Sequence, residues 1–270
     1  MLDRLTQIWR RLNTATIGTD RYWSISLLNA AFYKDMMPFI VDCAHGRCLD
    51  IGAGRLAWKD SLSPHVETYL SGDAVVGTPR VDVVLDVGSQ LPFAENSFET
   101  VFCCAVLEHV PRPWETLSEM RRILVQDGTL IISLPFIHHL HDQPHDYYRF
   151  SIYGAEYLSH QAGFEVQNVA TNGGFFHLVL NPVSVASSVI LEALRLCSLM
   201  PISSRFWLAL AEKLDTLFGL KEAFASNHIL ALRKTLSDAN ANSGSWHAPP
   251  GGLTSSKSPF SKVGFRGILV

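Results

Sequence analysis

The segment LDIGAGRLAW, Leu49 to Trp58, constrains this chain more than any other. Its Gly52-x-Gly54-x-x-Ala57 spacing follows a short apolar run, and it fits the turn by which a buried parallel strand hands over to a helix beneath a nucleotide. Glycine suits such a turn because it takes up φ values above zero and lets a ligand approach the backbone. Asp50 then restricts the ligand. A carboxylate placed where the strand releases the chain disfavours a pyrophosphate and favours a group carrying positive charge.

The remainder of the chain supplies the context this turn needs. With 270 residues, 47% of them hydrophobic and 17% charged, it can bury a full core. The net charge of -3 gives no electrostatic case for nucleic acid, so the expected partner is a small molecule. Five cysteines, at 43, 48, 103, 104 and 197, have neither zinc-ligand spacing nor a disulfide framework. Adjacent Cys103 and Cys104 point to opposite faces of a strand. The opening MLDRLTQIWRRLNT reads as an amphipathic helix and not as a signal peptide, which predicts a cytoplasmic protein.

Apolar periodicity divides the chain. Residues 1–44 read as an aromatic-rich helical cap containing Trp9, Tyr22, Trp23, Phe32, Tyr33 and Phe39. Strands are expected at 47–51, 66–72, 81–86, 98–104, 128–134 and 164–170, and helices near 55–62, 113–124 and 151–162. Such alternation predicts an α/β fold, a mostly parallel sheet with helices on both faces and a ligand beyond the carboxyl ends of the strands. The informative residues collect there: Asp50, Gly52, Ala53 and Gly54 after the first strand, Asp73 and Ala74 after the second, Asp86 and Val87 after the third, and Cys104 and His109 after the fourth. Asp73 lies nineteen residues beyond Gly54, where a carboxylate can accept both ribose hydroxyls. Asp86, before the apolar Leu91–Phe93, can accept from an adenine amine, with the apolar side chains covering the ring. Each also has a plainer reading, Asp73 as a helix cap and Asp86 as a turn residue.

LDIGAG, then Gly72-Asp73, D-x-x-x-x-LPF at 86–93, NSFETVFCCAVLEHV at 96–110 and E-x-x-R-I-L-x-x-D-G-x-L-I-I-S-L-P at 119–135 closely resemble the class I S-adenosylmethionine-dependent methyltransferases of the type 11 group. The resemblance covers about 45–171. It implies a Rossmann-like, doubly wound, mostly parallel seven-stranded sheet with an antiparallel last strand, and S-adenosyl-L-methionine as cofactor. It also implies that Asp50, Gly52 and Gly54 hold the methionyl portion, Asp73 the ribose and Asp86 the adenine. Family members often carry a third glycine where this chain has Leu56, so altered packing is expected at that point. Two other readings stay open, an NAD-dependent oxidoreductase and a cofactor-binding protein that acts without catalysis.

A narrower resemblance concerns PFIHHLHDQPHDYYRFSIYGAEYLSHQAGFEV, 135–166, which is similar to a subgroup carrying a P-x-D-Y-Y-R-F segment and associated with surface glycans or lipid-linked sugars. This loop leaves the fifth strand at its carboxyl end. His141 and His145 are therefore candidate general bases, Asp146 an orienting partner, and Arg149 and Tyr147 substrate contacts, with His109 a further catalytic candidate. His138, His139, His141 and His145 lack the regular spacing of a metal site, so no metal is expected. Beyond residue 172, a helical insertion at 182–220 precedes a last strand at 228–234, which closes a methyltransferase domain at 45–234. In its first helix Ser184, Ser188, Glu192 and Arg195 form a polar stripe, and Asn181-Pro182 is expected to interrupt the apolar run and prevent a membrane span. The insertion is read either as a lid over the acceptor pocket able to lie on a membrane surface, or as a plain packing layer or dimer contact. Residues 235–270, rich in Ser, Gly, Asn and Pro, are expected to be disordered.

Overall fold

A computed structural model describes residues 2–74 and 81–235. Apart from Thr235, the tail expected to be disordered lies outside them. Helix α1 (Leu2–Thr16) and helix α2 (Leu27–Cys43) come first, and the Ser26 hydroxyl caps α2 by accepting from the Asn29 N–H. Seven strands follow: β1 (Arg47–Ile51), β2 (Thr68–Asp73), β3 (Val83–Val84), β4 (Phe98–Cys104), β5 (Leu124–Pro135), β6 (Phe164–Gly173) and β7 (Ala225–Lys234). They form one sheet in the order β3-β2-β1-β4-β5-β7-β6. β1 to β5 pair in parallel, and β7 runs antiparallel to both β5 and β6. The order reverses at β1, so a crevice opens beyond the carboxyl ends of β1 and β4.

Strand periodicity builds the two faces. Leu49, Ile51, Val101, Cys103, Leu130, Ile132, Leu230 and Leu232 share one core with Leu117, Met120 and Ile123 of α4 (Pro113–Ile123) and Ala155 of α5 (Ile152–Gln161). Their neighbours Cys48, Phe102, Ile131, Ile229 and Ala231 share the other with Met36, Phe39 and Ile40 of α2. Each fully buried Leu or Ile contributes roughly 1.5–3 kcal/mol, so both patterns are strongly held. The aromatic residues of the cap serve the second face: Trp23 packs on Trp58 with centroids 4.4 Å apart, and Trp58 packs on Phe102 at 5.7 Å.

Three local expectations change. The helix near 55–62 is reduced to a short α3 (Lys59–Leu62), because Leu56 stands at φ +60 and its left-handed backbone breaks the helical run. The third strand shrinks to two residues. Finally, α6 (Phe175–Ala193) runs straight through Pro182; the lost N–H costs one helical hydrogen bond, while contacts with α1, α2 and α7 (Met200–Phe218) hold the helix.

This helix pair buries several small and polar side chains and exposes several large apolar ones. Ser184 and Ser188 of α6, and Ser204, Ala211 and Asp215 of α7, are buried. Val179, Val183, Ile190, Ile202, Phe206 and Leu217 are exposed. Ser187 and Ser203 share a hydrogen bond of 3.0 Å between the helices, and the buried His177 ring meets Asp215 at 2.7 Å. Among the described residues only α6 is long and apolar enough to cross a bilayer, with a mean hydropathy of 1.4.

Candidate functional site

The site begins at the end of β1. Gly52 and Ala53 donate their N–H groups to the Gly72 carbonyl, which ties the glycine turn to β2. Gly52 has φ +73, and a Cβ there would stand 2.2 Å from Val106 Cγ2. Only glycine fits at this position. Gly54 donates its N–H to Asp73 Oδ2 at 2.8 Å, so the acidic residue picked out by its distance from the glycines is joined directly to them.

Beside this junction lies a cleft of about 410 Å³ lined by Gly52, Asp73, Ala74, Asp86, Val87, Gly88, Val106, His109, Asp142 and His145, among others. Seven sequence-derived candidates thus converge: Gly52, Asp73, Ala74, Asp86, Val87, His109 and His145. Asp86 accepts from the Gly88 N–H at 2.9 Å and from the Ser89 hydroxyl at 2.8 Å, and these bonds lower its pKa. It is both a turn residue and a cleft residue. Leu91 is buried in the core and Phe93 packs edge-on against Phe98, so this pair faces inward and does not cover a ligand in the cleft. Arg122 explains the motif's E-x-x-R: it binds Glu119 and donates to the Leu91 and Phe93 carbonyls, pinning this segment to α4.

Other candidates stand apart from the cleft. Asp50 points to the α2 side of the sheet, is 2% exposed, and accepts from the Tyr69 hydroxyl at 2.6 Å. Burial pushes its pKa up to about 7, against the lowering effect of the Tyr69 hydrogen bond. Burial thus disfavours its charged form in the ligand-free chain, whereas a cationic group meeting it would favour that form. Ala53 is buried. Cys104 meets the Ser133 hydroxyl at 3.2 Å, and burial pushes its thiol up to about 12.

In the loop after β5, Arg149 binds Asp146 through two nitrogens at 2.6 and 2.8 Å and donates to the carbonyls of His138, His139 and Tyr148. The guanidinium expected to clamp a substrate is thus taken up in bracing its own loop. Asp146, expected to orient a base, accepts from Arg149 and from the His141 N–H, and the Arg149 bonds hold its pKa well below the usual carboxylate range. His145 Nδ1 lies 3.0 Å from the Tyr147 hydroxyl. His141 does not line the cleft; its ring edge meets His109, with centroids 4.7 Å apart.

One residue escaped the sequence reading. Glu108, on the turn Leu107–His109 after β4, is 1% exposed, and neither carboxylate oxygen has a hydrogen-bond partner. Burial pushes its pKa up to about 7. Its backbone carbonyl accepts from the N–H groups of Tyr147 and Tyr148, which fastens the histidine loop over it. A carboxylate in the apolar run AVLEHV was the available signal.

Comparison with known proteins agrees with this geometry. Residues 49–132 match the methyltransferase domain family model. An uncharacterized methyltransferase of Mycobacterium tuberculosis is 37% identical over 96 residues, covering 32% of this chain and 37% of that protein. A demethylmenaquinone methyltransferase of Clavibacter sepedonicus is 25% identical over 144 residues, covering 49% of this chain and 55% of its own. The chain thus spans well under two thirds of the curated relatives it matches. Among solved structures, the [4+2]-cyclase SpnF superposes with a TM-score of 0.52 at 17% identity, covering 77% of this chain and 83% of its own. Phosphoethanolamine N-methyltransferase 2 of Haemonchus contortus, solved with S-adenosyl-L-methionine, gives 0.51 at 14% identity, covering 84% of this chain and 60% of its own. At these identities the structures speak for the fold alone, and the cyclase illustrates that one fold serves different reactions. Residues 49–132 of this chain thus match a methyltransferase domain model, and the seven-stranded sheet around them has a Rossmann-like fold.

Proposed function

We propose that the chain is an S-adenosylmethionine-dependent methyltransferase acting on a small-molecule acceptor. The observation that carries this reading is the Gly54–Asp73 hydrogen bond at the edge of the cleft, because it joins the glycine turn to the acid at the position a nucleoside requires. In this reading Asp73 accepts from the ribose hydroxyls, Asp86, Val87 and Ala74 receive the adenine, and Gly52 leaves room for the methionyl end. The bound cofactor supplies a methyl group already activated by its sulfonium.

What remains for the protein is to hold an acceptor and take its proton. His145 is the candidate base, since it lines the cleft and its Nδ1 meets the Tyr147 hydroxyl, which leaves Nε2 for the acceptor. Arg149 and Asp146 act as positioning residues that shape the loop. Isothermal titration with S-adenosylmethionine, S-adenosylhomocysteine and NAD tests the cofactor. Heat with either adenosyl ligand and none with NAD is expected; binding of NAD alone overturns the reading. Untargeted metabolite comparison with and without the protein then seeks an acceptor that gains one methyl.

The exposed residues of α6 and α7 support a second element of this reading, contact with a membrane surface. Val179, Val183, Ile190, Ile202, Phe206 and Leu217 are exposed there together with Arg205 and Lys213, a mixture of apolar and basic side chains suited to a membrane interface. Among the described residues none from 175–218 lines the cleft, so the contact is placed on the outward face of the pair. It fits an acceptor with an apolar portion, such as a lipid-linked sugar.

A further inference from the structure

Glu108, His109 and His141 come from two separate turns, yet each offers a ligand atom within 4.8 Å of the other two. His109 Nε2 lies 3.9 Å from Glu108 Oε1. The other ring nitrogens are already committed. His109 Nδ1 meets the His145 carbonyl at 2.6 Å, and His141 Nδ1 lies 3.2 Å from the His139 carbonyl and 3.4 Å from Asp146 Oδ2. A histidine that donates its Nδ1–H to a carbonyl or carboxylate presents an unprotonated Nε2, the arrangement that outer partners impose on metal-binding imidazoles.

Glu108 supplies an independent reason to expect a ligand. Its side chain is 1% exposed, and both of its oxygens lack a partner among the described residues. A buried, unpaired carboxylate costs several kcal/mol unless a cation or a donor meets it. Arg149, the nearby fixed cation, is bound through two nitrogens to Asp146 and makes no hydrogen bond to Glu108, acting on it only as a neighbouring charge.

We propose that Glu108, His109 and His141 bind a divalent cation of the zinc class. Two imidazole nitrogens and one carboxylate are a three-ligand set for Zn²⁺ that keeps a fourth position open. Tetrahedral ligands stand about 3.3 Å apart, so groups now up to 4.8 Å apart need to close by up to about 1.5 Å, within reach of side-chain rotations. His109 also lines the cleft, so an ion held by the three groups would sit beside it. Sequence spacing hides this site because 108–109 and 141 are joined only by the loop folding back onto the β4 turn. The inference stands apart from the choice of methyl acceptor.

The test is titration of the metal-free full chain with ZnCl₂ against a chromophoric chelator, with CoCl₂ absorption reporting coordination number. One equivalent bound, the intense visible bands of four-coordinate Co²⁺, and a raised Tm are expected. Affinity should fall at least 10-fold in Glu108→Gln and in His141→Ala, and stay within twofold in His139→Ala, whose exposed ring lies in the same loop. Matching circular dichroism of the metal-free variants separates lost binding from lost folding. Absence of stoichiometric binding, or affinity unchanged in both Glu108→Gln and His141→Ala, overturns the proposal.

Discussion

Gly54 and Asp73 meet through a 2.8 Å hydrogen bond although nineteen residues and a helical turn separate them. The carboxylate therefore has two tasks, fixing the glycine turn and facing the cleft. Asp73→Ala removes both and is expected to weaken S-adenosylmethionine binding by about 10- to 100-fold, since a charge-assisted hydrogen bond contributes roughly 1.5–3 kcal/mol. Asp73→Asn retains an acceptor for Gly54 and should lose less. Isothermal titration of both variants orders these effects; equal affinity in wild type and Asp73→Ala would remove Asp73 from the site.

Gly52→Ala tests the turn itself. The added Cβ would meet Val106 Cγ2 at 2.2 Å on a backbone at φ +73, so a loss of about 2 kcal/mol or more is expected. Adding Val106→Ala should recover the part due to collision and leave the dihedral cost. Urea midpoints of the single and double variants measure each share.

How much of this was legible follows from where the signals lie. The two-residue alternation around Leu49, Val101 and Leu130 marks the strands because both faces of the sheet are covered, and the Gly–Asp spacing marks the cleft because strand and turn lengths are fixed by the βαβ unit. Arg149 misled because type and position do not reveal that its donors are used within its own loop. Leu56 misled because the chain keeps a left-handed turn there without glycine. Glu108 was missed because its significance depends on burial and on His141, thirty-three residues away in the sequence.

The pH dependence of stability has a predicted sign. The Asp50 carboxyl is raised to about 7 in the folded chain, chiefly by burial, and stands near about 3.9 unfolded. Between these values the folded form keeps a proton that the unfolded form has lost. Without ligand, stability should fall as pH rises from about 4 to about 7, by an amount on the order of a few kcal/mol. Asp50→Asn should make that slope shallower in urea denaturation series and leave the share of Glu108, whose carboxyl burial raises in the same way. A slope as steep as the parent's would assign it to other groups.

His145→Ala should lower kcat by roughly 10²- to 10⁴-fold on a hydroxyl acceptor while cofactor affinity stays within twofold. Arg149→Lys keeps the charge but loses the two-pronged bond to Asp146, so it should loosen the loop and raise KM more than it lowers kcat. Steady-state kinetics with hydrogen exchange across 138–149 separates the two roles. An unchanged kcat in His145→Ala would move proton transfer elsewhere.

Membrane contact is tested on the outward face of α6 and α7. Ile190→Ser with Phe206→Ser replaces exposed side chains, so Tm should stay within a few degrees. Co-sedimentation with phosphatidylcholine–phosphatidylglycerol vesicles should fall severalfold. Equal sedimentation of parent and double variant would refute the contact.

Two thiols on adjacent strands, facing opposite sides of the sheet, make the protein its own unfolding clock. Cys103 and Cys48 are buried, one in each core, and burial raises both thiols far above neutral pH. Thiolate is the reactive form, so alkylating reagents must wait until the strands separate. Mass-resolved labelling of Cys48 and Cys103 would thus time the opening of each face separately, and matching rates would mean that the two cores come apart in a single event.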